Sequence, residues 1–351
     1  MKTHDFFYDL PEGLIAQTPV EPRDQSRMLA FSRQTGTIQH RHFFDLPGFL
    51  RPGDAVVINH TKVIPARLTG LKEGSGVACE VLLLRRISQD RWEALVRPGR
   101  RLKSGARLNF GGGAIRAVIE DSTRFGGRIV RFVYEGVFEE ILDRLGQMPL
   151  PPYIHEQLSD SSRYQTVYAK FPGSAAAPTA GLHFTPRVLE AITERGAHVI
   201  PVLLHVGLGT FRPVKAESLE DHVMHEEYYE VSPEAALRIN AARAKGGRIL
   251  CVGTTSLRTL ETVSDVTGIV RPGQGMTGIF IRPGYRFKAC DMLLTNFHLP
   301  ESTLLMLVAA FMGLDNTLRT YREAVREQYR FFSFGDCMLI GDALQRAQNH
   351  G

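Results

Sequence analysis

The stretch 66–135 constrains the fold of this chain more than any other. Within it, residues 67–72, 77–87, 91–96, 106–110, 114–118 and 128–133 each read as a short strand, apolar and β-branched with interleaved polar positions. Gly74-Ser75-Gly76, Pro98-Gly99, Gly111-Gly112-Gly113 and Gly126-Gly127 separate them, and such residues turn a backbone sharply. Six short strands with no helix between them would leave open edges if they stayed flat. Closure removes those edges, so the pattern predicts a small antiparallel six-stranded β-barrel.

The same stretch holds the chain's positive charge. It carries fourteen Lys or Arg against seven Asp or Glu, +7 of a chain total of +5, which leaves −2 for everything else. Arg97, Arg100, Arg101 and Lys103 crowd into one turn. A charge run is usually a solvated face, but one inside the most basic segment favours contact with a polyanion.

Flanking signals make the barrel an insertion. Residues 55–59 (AVVIN) read as a buried strand before it. Residues 138–145 read as a short helix after it, with Gly146 placed as the left-handed residue that ends it. Met148-Pro149-Leu150-Pro151-Pro152 is an extended connector. The reading is a basic barrel at 66–148 set into a discontinuous domain of 1–65 plus 149–351, in keeping with a chain of 351 residues that exceeds one ordinary core.

The remainder alternates strand and helix. Strands are expected at 198–206, 248–252 and 291–296, and helices at 233–244, 254–263, 300–312 and 318–329. The helix ending at Met312 is apolar on every side and should be buried. This alternation predicts an α/β main domain, mixed and barrel-like in character. Cys79, Cys251, Cys290 and Cys337 are scattered and form no CxxC pair. No apolar run approaches the roughly 20 residues that span a bilayer, and the N-terminus lacks a signal-peptide pattern. A cytoplasmic monomer that meets no membrane is expected.

Five loops could carry chemistry. Ala177-Pro178-Thr179-Ala180-Gly181-Leu182-His183-Phe184 is either a packed turn with a bonded histidine or a wall for a flat ligand, with His183 as acid or base. His205-Val206-Gly207-Leu208-Gly209-Thr210-Phe211 lacks the third glycine of a dinucleotide fingerprint; Gly207 and Gly209 more plainly let backbone approach a ligand. The cluster 220–227 contains Asp221, His222 and His225. It matches neither HExxH nor HxxEH, so acid–base work, a solvated turn and a metal pair all remain open. Gly253-Thr254-Thr255-Ser256 opens a helix and can bind an anion or simply cap, with Arg258 favouring the anion. In 295–303, Pro300 suits a first helical position, and Asn296, His298 and Glu301 can face one pocket.

Together these words resemble one family end to end: the S-adenosylmethionine:tRNA ribosyltransferase-isomerases of queuosine biosynthesis. The matching words include Asn59-His60-Thr61-Lys62-Val63-Ile64-Pro65-Ala66-Arg67, Gly146-Gln147-Met148-Pro149-Leu150-Pro151-Pro152-Tyr153-Ile154 and Tyr164-Gln165-Thr166-Val167-Tyr168. APTAGLHF, HVGLGTF, VGTTSLRTLE, TNFHLPESTLLMLV and Tyr329-Arg330-Phe331-Phe332-Ser333-Phe334-Gly335-Asp336 continue the match. His60 and Leu208 depart from it, standing where the family often has Asn and Ala.

The resemblance implies an α/β domain with a small β-barrel, and an enzyme acting on tRNAs with queuosine-type anticodons. S-adenosylmethionine is then cosubstrate, with no resident cofactor and no metal. Its ribosyl part passes to 7-aminomethyl-7-deazaguanine at the wobble position, giving epoxyqueuosine, adenine and methionine. A proton must leave the carbon beside the sulfonium, and adenine must depart. His183, His205, His222, His225 and His298, with Asp221, are the candidates for that proton traffic, His222 or His225 ahead of His183. Thr179, Gly181, Gly207, Gly209, Thr210, Gly253, Thr254, Thr255, Ser256, Arg258, Asn296 and Glu301 are the candidate cosubstrate contacts. Lys62, Arg67, Arg97, Arg100, Arg101 and Lys103 are the candidate tRNA contacts. The rival readings are a non-catalytic RNA-binding protein, a metal-dependent hydrolase centred on His222 and His225, and a methyltransferase.

Overall fold

The computed structural model describes residues 1–123, 126–156, 158, 160–207, 216–342 and 344. Its strands begin with β1 (Arg27–Ser32), β2 (Ile38–His42) and β3 (Ala55–Asn59). Then come β4 (Thr61–Val63), β5 (Arg67–Lys72), β6 (Ala78–Arg86), β7 (Arg91–Arg97), β8 (Arg107–Phe110), β9 (Ile115–Ser122) and β10 (Arg128–Tyr134). After β11 (Phe171–Ser174) follow β12 (His198–Leu204), β13 (Glu227–Val231), β14 (Ile249–Val252), β15 (Gly273–Thr277), β16 (Met292–Asn296) and β17 (Cys337–Gly341). The α-helices are α1 (Phe138–Leu145), α2 (Pro186–Glu194), α3 (Pro233–Ala244), α4 (Gly253–Val263), α5 (Thr303–Met312) and α6 (Leu314–Arg326).

The chain forms two compact units. The smaller holds Thr61–Pro151 and Lys170–Ala177. In it β10, β7, β6, β5, β8 and β9 close into an antiparallel barrel, the six-stranded element expected from the glycine-punctuated strands. Alternate residues face inward, so Leu68, Val81, Leu83, Leu108, Phe110, Ile119 and Phe132 fill it. Helix α1 plugs one end through Phe138, whose ring lies 5.3 Å from that of Phe132 and 5.8 Å from that of Trp92. Residues 170–177 belong to this unit because β11 pairs in parallel with β4, a long-range pairing with no local signal.

Gly146 is not left-handed; its φ is −80°. It is a glycine for space, because a Cβ there would stand 2.0 Å from the Pro65 carbonyl oxygen and 2.7 Å from that of Leu142.

The larger unit holds Met1–His60, Pro152–Ala169 and Pro178–Gly351. Its strands form one nine-stranded mixed sheet in the order β15-β13-β12-β3-β14-β16-β17-β1-β2. The mixed α/β character is as expected, while the closed barrel is that of the small unit. Four neighbours, β12, β3, β14 and β16, run parallel. Successive residues of β3 enter opposite cores. Ala55 and Val57 pack with α3, α4 and α5, whereas Val56 and Ile58 pack with α2 and the turn 43–49. A parallel sheet buried on both faces needs such apolar runs. Helix α5 is buried as its composition predicts. It starts at Thr303 rather than Pro300, because Glu301 sits at φ 59° and a right-handed helix cannot pass through a left-handed residue. Strand β12 stops at Leu204, two residues short of the expected Val206.

Candidate functional site

The larger sheet gathers the described catalytic and cosubstrate candidates along one edge. The carboxyl ends of the parallel strands β12, β3, β14 and β16 all lie there, the usual place for a site in an α/β sheet. Strands β13 and β17 run antiparallel to β12 and β16, so their first residues reach the same edge, as does the start of β1. From β13 to β1 that edge spans roughly 30 Å at about 4.8 Å per strand. Its far ends are too far apart to touch one reacting atom.

The histidines fall along it in groups. His183 ends the tight turn Thr179–His183, and its Nδ1 lies 2.7 Å from Ser26 Oγ at the start of β1. Its Nε2 is buried without a hydrogen-bond partner. Burial lowers its pKa to about 4, opposed by the Asn296 side chain and reinforced by the charges of Arg330 and Arg23. Asn296, at the end of β16, donates from Nδ2 to the Phe332 carbonyl 2.8 Å away, while its own Oδ1 is unpartnered. Phe332 holds φ 74°, a strained conformation for a bulky residue and of the kind that collects at functional sites. A small cavity beside His183 is lined by Arg23, Ser26, Arg163, Ser333 and Gly335.

His298 is bonded away from that cavity. Its Nε2 lies 2.8 Å from Thr295 Oγ1, its carbonyl accepts from Tyr8, and its N–H donates to Tyr321 Oη. Burial lowers its pKa to about 3. Glu301 turns elsewhere, to His4 Nδ1 at 2.9 Å. Asn296, His298 and Glu301 therefore share a segment but point to different partners.

At the other end of the edge, His205 follows β12 and stacks on Tyr228 with ring centroids 5.8 Å apart. Burial, then the neighbouring His60, lowers its pKa to about 4. His222 lies against Phe280, 5.1 Å between ring centroids, and is lowered by burial and by His225. Asp221 is exposed in the turn Leu219–Asp221. The buried carboxylate of this cluster is Glu227, whose Oε1 accepts from the Gly207 N–H at 2.8 Å and whose other oxygen pairs with Arg258. Among the described residues, no group of three or more His, Cys, Asp or Glu is placed to hold a metal ion. Gly209 and Thr210 lie outside the described residues.

Between these ends sits the start of α4. Gly253 turns the chain with φ 82°, and Thr255 Oγ1, Ser256 Oγ and Arg258 Nη2 are buried without hydrogen-bond partners. Thr254 lies beside them, 7% exposed. Across from them, Gly181 admits Tyr168; a Cβ on it would stand 2.1 Å from the tyrosine oxygen. The hydroxyls of Tyr168 and Thr166 are likewise buried and unpartnered. Native interiors leave few polar groups unpaired, so such a concentration makes this corner a candidate place for a hydrogen-bonding ligand. Tyr168, Thr166, Ser26 and Glu227 received no role from the sequence. Only the fold brings the first two against Gly181.

In the small unit the arginines divide sharply. Arg85, Arg86, Arg91 and Arg131 pair with Glu93, Glu139 or Glu120 at 2.6 to 3.3 Å. Arg67, expected to meet tRNA, lies 3.8 Å from Glu80 and donates to the Leu150 carbonyl instead. Arg97, Arg100, Arg101, Lys103 and Lys62 are exposed. Lys72, Arg101, Lys103 and Arg107 line one open groove of about 560 Å³.

The chain pairs a mixed α/β sheet that has a loop-built polar edge with a basic six-stranded barrel, and likeness to known proteins supplies its class, a transferase. The chain belongs to the queuosine biosynthesis protein family, whose model matches residues 3–340. Relatives from Symbiobacterium thermophilum and Moorella thermoacetica, both named S-adenosylmethionine:tRNA ribosyltransferase-isomerase, are 62% and 61% identical to it, matching 97% of this chain and 100% of theirs. The crystal structure of the S-adenosylmethionine tRNA ribosyltransferase of Thermotoga maritima resembles it with a TM-score of 0.54 at 38% identity, covering 96% of this chain and 99% of that one.

Proposed function

We propose that this chain transfers and isomerises the ribosyl moiety of S-adenosylmethionine onto 7-aminomethyl-7-deazaguanine at the wobble position of tRNA. Epoxyqueuosine forms, and adenine and methionine leave. The observation that carries this reading is full-length likeness: relatives bearing the ribosyltransferase-isomerase name match 97% of the chain at up to 62% identity. The likeness runs the length of the chain, and no single motif bears the weight.

The sheet edge supports the division of labour. Burial lowers the pKa of His183, His205 and His298, which keeps them uncharged near neutral pH and makes them hydrogen-bonding groups in preference to strong bases or standing cations. His222 and His225, less deeply set than His183 and His298, remain the candidates for the base that removes the proton beside the sulfonium. Thr179, Gly181, Gly207 and the first turn of α4 would line the cosubstrate path. The cations Arg97, Arg100, Arg101 and Lys103, which have no ion-pair partner among the described residues, would meet tRNA phosphates, with 66–148 acting as an RNA-contacting insert in a catalytic domain of 1–65 and 149–351. A cytoplasmic monomer working without a metal is the setting this implies. No helix among the described residues is long and apolar enough to cross a membrane.

The test is product analysis. Purified protein, S-adenosylmethionine labelled in the ribose and a precursor-bearing tRNA should yield free adenine and labelled tRNA, with no adenine when the tRNA is left out. Release of ribose-labelled S-adenosylhomocysteine instead would make the protein a methyltransferase, and tRNA binding with no released adenine would leave a non-catalytic binder.

A further inference from the structure

Helix α4 opens at the sheet edge without a cap. Its N-cap residue is Val252, and no side chain accepts from its first amides, whereas Thr185, Ser232 and Ser302 cap α2, α3 and α5. Uncapped amides and the helix dipole favour an anion there. A helix end alone would say little, but two buried side chains point the same way. Thr255 and Arg258 are three residues apart, so they share a face, and helical side chains lean toward the N-terminus. Arg258 is 3% exposed and Thr255 7%. Arg258 Nη1 is taken by Glu227 and Nε reaches the Ile279 carbonyl at 3.4 Å, leaving Nη2 unpartnered; Thr255 Oγ1 is unpartnered too. A buried donor left unsatisfied is destabilising, so two on one face call for an acceptor.

We propose that this corner, Thr255 Oγ1, Arg258 Nη2 and the first amides of α4, holds the α-carboxylate of the methionine portion of S-adenosylmethionine. The assignment rests on the transferase reading above. The corner offers donors, so its ligand must be an acceptor. Glu227 already balances the Arg258 charge, so the remaining pull is that of a helix end, suited to a single small anion. A carboxylate has two oxygens for the two side chains, and S-adenosylmethionine carries one carboxylate, at its methionine end. Glu227 also grips the Gly207 N–H, so the same ion pair ties the end of β12 to the wall of the corner.

The test compares two donors, S-adenosylmethionine and its decarboxylated analogue, with the full chain and saturating precursor-bearing tRNA, reading adenine release. Wild type should prefer the carboxylated donor by about 10- to 100-fold in kcat/KM, the worth of hydrogen bonds to a charged group. Thr255→Val, which keeps the shape and drops the hydroxyl, should narrow that preference by raising KM for S-adenosylmethionine more than for the analogue. Arg258→Lys, which keeps a cation for Glu227 and loses Nη2, should do the same. Equal use of both donors by wild type would overturn the assignment. So would variants that depress both donors alike, or a shallower salt dependence of tRNA binding in Thr255→Val, which would make the anion an RNA phosphate. Adenine release from neither donor by wild type would instead overturn the transferase reading itself.

Discussion

Burial sets the behaviour of the site histidines more than their loops do. His183 and His205 are pushed to about 4 and His298 to about 3, against an ordinary value near 6.5. The unfolded chain therefore binds these protons more readily than the fold does. Their contribution is fully present above pH 6.5 and is lost as pH falls toward 4 for His183 and His205, and toward 3 for His298. In that window each group adds a slope of up to about 1.4 kcal/mol per pH unit. Denaturant unfolding at pH 7.5, 6.5 and 5.5 should show stability falling with acid, and His298→Gln should shallow the slope. A flat profile in wild type would contradict the burial argument. The loops holding these histidines were legible from the sequence; their protonation was not, because no local pattern encodes what packs around Nε2. Arg258 shows the same limit. Its place in the first turns of a helix suggested an anion site, but its pairing with Glu227 depends on β13 lying beside α4.

Elements were read well where the signal is local and less well where it is not. The barrel strand 67–72 and the helices 138–145 and 233–244 have the limits their patterns predicted, because alternation and helical periodicity are properties of neighbours in sequence. The start of α5 was misplaced because Pro300 is a good opening residue in general, and nothing local reveals that Glu301 will be left-handed. Gly146 was misread for a similar reason. Glycine after a helix usually supplies a positive φ, but here it makes way for the backbone at Pro65. That difference is measurable. Gly146→Ala places a Cβ against two carbonyl oxygens at 2.0 and 2.7 Å, and backbone cannot step aside as a side chain tip can. The variant should lose about 1–3 kcal/mol of stability, the usual cost of overpacking, in chemical denaturation. If Gly146 were only a left-handed helix end, Gly146→Asn would be tolerated well; the close approach predicts that it is at least as damaging as Ala.

At the scale of the molecule, charge is the property that sequence and structure describe together. Composition placed +7 in residues 66–135 against −2 elsewhere, but a count cannot say which cations are free. In the structure Arg91 and Arg131 both grip Glu120, one at each side of it, 2.8 Å away. The turn holding Arg97, Arg100, Arg101 and Lys103 has no acidic residue within its own span. Paired arginines release few counterions when a polyanion arrives, since a carboxylate already serves as their counterion. Unpaired ones release them, and that release gives nucleic-acid binding its salt dependence, about 0.9 of a log–log unit per phosphate neutralised on duplex and about 0.7 on single strands. Replacing Arg100 and Arg101 together with Ala should therefore weaken tRNA binding and lower the slope of log K against log salt by one to two units. Arg91→Ala, at an equally exposed site, should change the slope by much less. The fold should survive both, because these side chains lie on the barrel surface and fill none of its core. Equilibrium binding of unmodified tRNA between about 50 and 200 mM salt reads this without any dependence on catalysis. Equal slopes for wild type and the Arg100/Arg101 variant would make the turn a solvated face and move the tRNA contact elsewhere on the protein.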